Sequence, residues 1–249
     1  MNLHNLHKIL IAIVLIVTIT SCTSKSENKL HLSNAAILIS PSIKTPVYKT
    51  TGKILVEEIE KRTSLQLELA KNWDNKTIIA CALSEDKNLF GEVIPKRDGD
   101  NLPESKKEGF RLFYEIKNGK EIVWIIGADE RGILYGIGKL LRIAEMKEGK
   151  ITVAKWIDIS TSPEYPIRGH QFGYRNTANS WDAWTVEQFD QHFREQVLFG
   201  ANSFENIPFQ EPNSSPHFKV NPKEMEVQLS KICDSYDADF WGLDRKSVV

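Results

Sequence analysis

The 249-residue sequence has three cysteines and no apolar run of the roughly 20 residues that a membrane-spanning helix needs. Cys22, Cys81 and Cys233 lie in three different segments, so no disulfide framework is expected. Cys81 sits in an apolar strand-like stretch and Cys233 in a helix-like one, where a cysteine serves as a small core residue. An excess of charge of one sign is also missing. Lys and Arg number 32 against 33 acidic residues, a formal net charge of −1 without basic clusters, which excludes the electrostatic footprint of a nucleic-acid-binding protein. His170, His192 and His217 show no His-x-x-x-His spacing, so neither a metal site nor any other cofactor is expected. His192 falls mid-helix and reads as a solvated side chain. The glycine-rich segment 127–138 lacks a Gly-Lys-Ser/Thr ending and a downstream acid, which argues against nucleotide binding. No internal repeat is visible.

What is present starts at the N-terminus. His4, His7 and Lys8 make a mildly cationic start, followed by nine unbroken apolar residues over 9–17. A charged start, a short apolar run and small residues before a cleavage point mark a secretory leader. Ile19-Thr20-Ser21-Cys22 resembles the lipobox of bacterial lipoproteins, which implies cleavage before Cys22 and acyl chains on that residue. The alternative is an ordinary leader with an incidental cysteine. Residues 1–21 are thus expected to be a signal peptide and 22–30 a polar tether. Thr23 after the cysteine points to the outer membrane, on its periplasmic or cell-surface side.

Residues 31–155 read as a small α/β domain. Residues 35–39 form a short buried-strand pattern ended by Pro41. From Thr51 the apolar positions Gly52, Leu55, Val56 and Ile59 follow helical spacing, with Glu57, Glu58, Glu60 and Lys61 opposite. Residues 65–69 and 77–83 predict two more strands, and 86–107, polar and broken by Pro95 and Pro103, a long surface loop. Alternation through Phe110, Leu112, Tyr114 and Ile116, then Asn118-Gly119, then the apolar run 122–126 predicts a hairpin, because both turn residues must accept positive φ. Asp129 is placed to cap a helix carrying Ile133, Ile137, Leu140 and Leu141, and Gly132 and Gly136 let that helix lie close on the sheet. The expected fold is a mixed sheet with helices packed on it, a small α+β sandwich.

The run Ile125-Ile126-Gly127-Ala128-Asp129-Glu130-Arg131-Gly132-Ile133-Leu134-Tyr135-Gly136 resembles the end of the small α/β domain that precedes the catalytic barrel in β-N-acetylhexosaminidases (glycoside hydrolase family 20) and α-glucuronidases (family 67). That resemblance implies a structural role for this domain and no catalytic residue in it.

Residues 156–249 begin at a turn-rich connector over 158–166. A strand over 167–175, a helix opened by the capping box Thr185-Val186-Glu187-Gln188, a strand over 203–209, a helix opened by Asn221-Pro222 and a strand from 238 follow in order. Strand, helix, strand, helix, strand opens a parallel α/β structure, read here by analogy as the first βα units of an incomplete (β/α)8 barrel. Pro166-Ile167-Arg168-Gly169 is similar to the Y-R-G at the first barrel strand of hexosaminidases. The resemblance implies that Arg168 grips sugar hydroxyls, the alternative being a structural ion pair. Residues 170–176 depart from the hexosaminidase M-L-D-x-x-R pattern.

Barrel active sites lie where strands end. On that ground His170, Tyr174, Arg175 and Glu205 are candidate sugar-binding residues. Trp181 and Trp184 either stack on sugar faces or pack their loop onto the barrel. Glycoside hydrolysis needs an acid and a partner group. Glu205 is the one carboxylate at a plausible strand end, expected to bind rather than catalyse, so the catalytic pair is expected beyond residue 249. Two functions stay open: an exported, lipid-anchored glycoside hydrolase represented by its N-terminal portion, and a non-catalytic lipoprotein that binds a glycan.

Overall fold

The computed structural model describes residues 28–99, 101–172, 183–206 and 220–242. The expected leader, Cys22, Tyr174, Arg175 and Trp181 lie outside the described residues. In chain order the strands of the first region are β1 Lys29–His31, β2 Ala36–Ile39, β3 Glu68–Ala70, β4 Thr77–Leu83, β5 Asn88–Leu89, β6 Glu92–Val93, β7 Phe110–Lys117, β8 Lys120–Gly127, β9 Glu145–Lys147, β10 Lys150–Ala154 and β11 Asp158–Thr161. Its helices are α1 Thr45–Thr63 and α2 Glu130–Ile143. The second region holds β12 Gly169–Gln171, α3 Val186–Leu198, β13 Ser203–Asn206, α4 Pro222–Ser235 and β14 Asp239–Gly242.

Six strands form the main sheet in the order β11-β7-β8-β4-β2-β3. Strands β3, β2, β4 and β8 run parallel, while β7 and β11 are antiparallel to their neighbours. The turn between β7 and β8 is the expected one, with Asn118 at φ 52° and Gly119 at φ 74°. One face of the sheet, through Ile37, Ile79, Cys81, Val123 and Ile125, packs against Ile54, Leu55 and Ile59 of α1 and Ile133 and Ile137 of α2. The central strands are apolar on both faces, so something must also cover the other side. Residues 86–107 do this in part. The expected surface loop folds down as β5 and β6, burying Leu89 and Ile94 against Leu38, Ala80 and Trp124.

Other differences have local causes. Helix α1 starts six residues earlier than the apolar period suggested, because Pro46 occupies its first turn, where a missing N–H costs nothing. Lys29 and Leu30, read as the end of a tether, belong to β1, which pairs with β10 and buries Leu30 completely. The first part of the connector, 158–161, is β11, held to β7 by backbone pairing and by the bidentate Arg111–Asp158 ion pair at 2.8 and 2.9 Å. Asp129 caps α2 as expected, its Oδ1 accepting from the Gly132 N–H at 2.9 Å. A Cβ on Gly132 would stand 2.2 Å from the Gly109 carbonyl oxygen, which explains that glycine.

In the second region β12, β13 and β14 form a three-stranded, all-parallel sheet. The Thr185–Gln188 capping box is complete, and Asn221 caps α4. Phe189, Phe193 and Val197 of α3 and Met225, Leu229 and Cys233 of α4 are buried as the spacing requires. The Phe193 ring stacks on Phe204 of β13, with centroids 4.1 Å apart and planes 7° apart. Among the described residues no helix is long and apolar enough to cross a membrane.

Candidate functional site

The face that each residue of the parallel sheet presents follows from register. Gly169, Ser203 and Asp239 form one cross-strand row, His170, Phe204 and Phe240 the next, and Gln171, Glu205 and Trp241 the third. Side chains alternate between faces along a strand. The middle row faces the helices, where Phe204 meets Phe193. The first and third rows face the other way, toward a cleft of about 450 Å³ lined by Ile167, Gly169, Gln171, Ser203, Glu205 and Trp241.

This cleft brings together a carboxylate, a carboxamide and an indole. Trp241 is 52% exposed, and Glu205 lies beside it in register with Gln171 on its other flank. An exposed aromatic face attracts the polarised C–H groups of a pyranose ring, while the carboxylate and amide can accept and donate hydrogen bonds to hydroxyls. Glu205, singled out in the sequence as a carboxylate near a strand end, lines this cleft. Trp241, read only as part of a strand, is the partner that sequence reasoning missed; its signal was its place in the alternation of a short strand.

Two expectations are corrected, and two open alternatives are taken up. His170 borders the cleft, but its ring turns to the helix side, packing edge-on against Phe172 at 5.1 Å and His192 at 4.9 Å. Burial lowers the pKa of both histidines, and His170 further disfavours charge on His192. His192 is accordingly not a solvated residue; its ring also meets Trp184 at 5.4 Å. Trp184 takes the packing role of its two alternatives, lying T-shaped against Phe189 at 5.4 Å.

Arg168 also had two alternatives. It precedes β12 and so lies at the opposite end of the sheet from the strand C-termini. Its Nε donates to the Gly200 carbonyl at 2.6 Å and its Nη2 to the Tyr135 hydroxyl at 3.0 Å. The guanidinium also donates to the Tyr165 carbonyl and forms an ion pair with Glu108. With its fork committed to protein acceptors, Arg168 takes the structural ion pair of its two alternatives.

Glu108 gave no sign of this role in the sequence. Its side chain is only 4% exposed, and its Oε1 accepts from Arg131 Nη1 and Asn202 Nδ2, each at 2.9 Å. Burial pushes its carboxyl up, but the donors Asn202, Arg131 and Arg168 outweigh that and hold it below the usual carboxylate range. A second buried network joins the regions at Arg194, which pairs with Glu57 at 2.8 Å and Glu58 at 3.1 Å. Among the described residues no group of three or more His, Cys, Asp or Glu side chains could hold a metal ion.

A mixed sheet carrying helices, joined to a parallel βαβαβ unit with an aromatic cleft, defines a two-part α/β protein. Among its solved structural neighbours are glycoside hydrolases of family 20. The chitobiase of Flavobacterium johnsoniae superposes with a TM-score of 0.55 at 16% identity, over 84% of this chain and 31% of that one. The exo β-N-acetylglucosaminidase of Vibrio harveyi, solved with N-acetylglucosamine, gives 0.55 at 12%, over 86% and 33%. The β-N-acetylhexosaminidase of Streptomyces coelicolor gives 0.56 at 12%, over 86% and 42%. At such identities the likeness shows a shared fold, and the chain spans under half the length of these neighbours. No family model matches the sequence, and no curated protein matches it either.

Proposed function

We propose that this chain is the N-terminal portion of an exported glycoside hydrolase of the family 20 type. It comprises the small α/β domain and the opening βα units of a (β/α)8 barrel. The observation that carries this reading is the likeness to family 20 structures over 84–86% of the chain, a share too large to fit in either region alone. The α-glucuronidase side of the sequence resemblance rests on the motif at 125–136 only, so hexosaminides are the preferred substrate class.

In this reading the cleft lies inside the barrel, toward the ends where barrel active sites are built. Trp241 supplies a stacking surface and Glu205 and Gln171 hold hydroxyls. The reaction needs a carboxylic acid to protonate the leaving oxygen, and either a second carboxylate or the substrate's acetamido group as its partner. Glu205 is assigned to binding, because it shares the cleft with Gln171 and Trp241, groups suited to hold hydroxyls and to stack on a sugar ring. The acid is assigned to later strands of the complete protein. Cys22 is proposed as the lipid attachment point, with the protein held on the outer membrane. Labelling of the expressed protein with a radioactive fatty acid, lost in Cys22→Ser, tests the anchor. Hydrolysis of aryl β-N-acetylglucosaminides by the product of the complete reading frame tests the activity.

A second reading, a glycan-binding lipoprotein without catalysis, is favoured by one feature: the cleft as described offers an indole and polar groups but a single carboxylate. Sugar binding by this chain, together with inactivity of the complete gene product, selects it.

A further inference from the structure

The Glu108–Arg131 ion pair belongs to the first region, yet it reaches all three strands of the second. Glu108 accepts from Arg168, the residue before β12, and from Asn202, the residue before β13. Arg131 donates through Nη2 to Asp239, the first residue of β14, at 2.8 Å, and through Nε to the Asp237 carbonyl. These contacts are linked to one another. Asn202 Oδ1 accepts from the Arg168 N–H at 2.9 Å, the Asn202 N–H donates to the Arg168 carbonyl at 2.9 Å, and the Asp239 N–H donates to the Asn202 carbonyl at 2.8 Å. All the anchors fall within one or two residues of the row Gly169, Ser203 and Asp239, so the three strands are gripped at one level.

The strands need such a grip. Each has only three or four residues, so few backbone hydrogen bonds and few buried side chains are available to set its register. A slip of one residue reverses every side chain. In β13 it would carry Phe204 into the cleft and put Glu205 under the aromatic face of α3. A buried, geometrically demanding polar network rejects such alternatives, because a slipped strand leaves charged groups without partners.

We propose that Glu108 and Arg131 form a registration clamp, and that the first region is the template on which the cleft-bearing sheet is set. Glu108, Arg131 and Asn202 are then positioning residues for Gln171, Glu205 and Trp241, which they do not touch. The inference rests on strand geometry and stands apart from the hydrolase reading.

The test is amide hydrogen exchange, read by mass spectrometry on the full chain. Glu108→Gln keeps the shape and removes the charge. Exchange in β12, β13 and β14 is expected to rise together by about tenfold or more, with β4 and β8 changed by less than about twofold. Arg131→Lys keeps the charge but loses the fork, and its rise is expected to be largest in β14. Arg111→Gln, which breaks the ion pair at the far edge of the main sheet, is the control and is expected to leave β12 to β14 unchanged. A uniform rise across both regions in Glu108→Gln, or no strand preference in Arg131→Lys, overturns the clamp. Should Glu108→Gln yield no folded protein, the strand preference in Arg131→Lys decides alone.

Discussion

Arg194 of α3 and Glu58 of α1 form an ion pair at 3.1 Å with side chains only 5% and 3% exposed, across 136 residues of sequence. Tyr236 of α4 donates to Asp190 at 2.7 Å beside them, so three helices from both regions share one polar knot. Removing one partner of a buried pair leaves the other charge without compensation, which costs about 3–5 kcal/mol. Arg62 remains as a second partner for Glu58 and places the loss at the lower end. Arg194→Leu is therefore expected to destabilise by about 3 kcal/mol in urea denaturation, while Arg97→Leu, in a more exposed pair, costs less than about 1 kcal/mol.

Helix α2 touches α3 through a glycine. A Cβ on Gly138 would stand 2.0 Å from the Leu198 carbonyl oxygen, a backbone atom that cannot rotate away. Overpacking of this kind costs about 1–3 kcal/mol. Gly138→Ala is expected at the upper end of that range, with a lower melting temperature. Alanine at the neighbouring, partly buried Lys139 is expected to leave it within about 2 °C, since substitutions away from such contacts are close to neutral.

Acid should weaken the protein in two windows. Burial lowers the His170 and His192 pKa values, so the unfolded chain takes up their protons more readily. Their contribution is full above the unfolded value of about 6.5 and is lost as pH falls through the lower folded values. Glu108 and Glu58, also held below their ordinary range against the opposing effect of burial, contribute fully above about 4.3 and lose that contribution as pH falls further. Urea midpoints measured from pH 8 to pH 3 are expected to show both declines. Glu108→Gln should flatten the lower one and leave the upper one intact.

The two cysteines of the folded regions are expected to be inert. Cys81 and Cys233 are both fully buried, and burial pushes each thiol up to about 12. Reaction with iodoacetamide at pH 8 should label neither in the native protein and both in urea. Rapid native labelling of Cys233 would show that α4 is not docked as described.

Much of the first region was legible because its signals are local. Thr77 to Leu83, the Asn118-Gly119 turn and the Asp129 cap each carry their structure within a few residues. The segment 86–107 was misread because its apolar residues come only as the short pairs Leu89-Phe90 and Val93-Ile94 in an otherwise polar stretch with Pro95 and Pro103, and only the sheet above Leu89 and Ile94 reveals their use. The two alternatives for Arg168 stayed open for a related reason. A lone arginine beside a strand does not show which end of the sheet it occupies, and Glu108 lies 60 residues away. His170 sat in a strand of three residues, too short for alternation to fix its face. Glu205 was singled out for its place near the end of a strand, and the register of β13 turns it to the cleft.

The most direct test of the hydrolase reading is a turnover measurement. The complete reading frame that contains this chain is expressed, with the proposed leader segment 1–21 replaced for solubility, and assayed against 4-methylumbelliferyl N-acetyl-β-glucosaminide, β-glucuronide and α-glucuronide. The expected result is hydrolysis of the N-acetylglucosaminide, with KM raised by about tenfold or more in Trp241→Ala, the factor that losing about 1.4 kcal/mol of binding gives. A folded gene product that hydrolyses none of the three, yet still binds N-acetylglucosamine through Trp241, contradicts the hydrolase reading and leaves a glycan-binding protein.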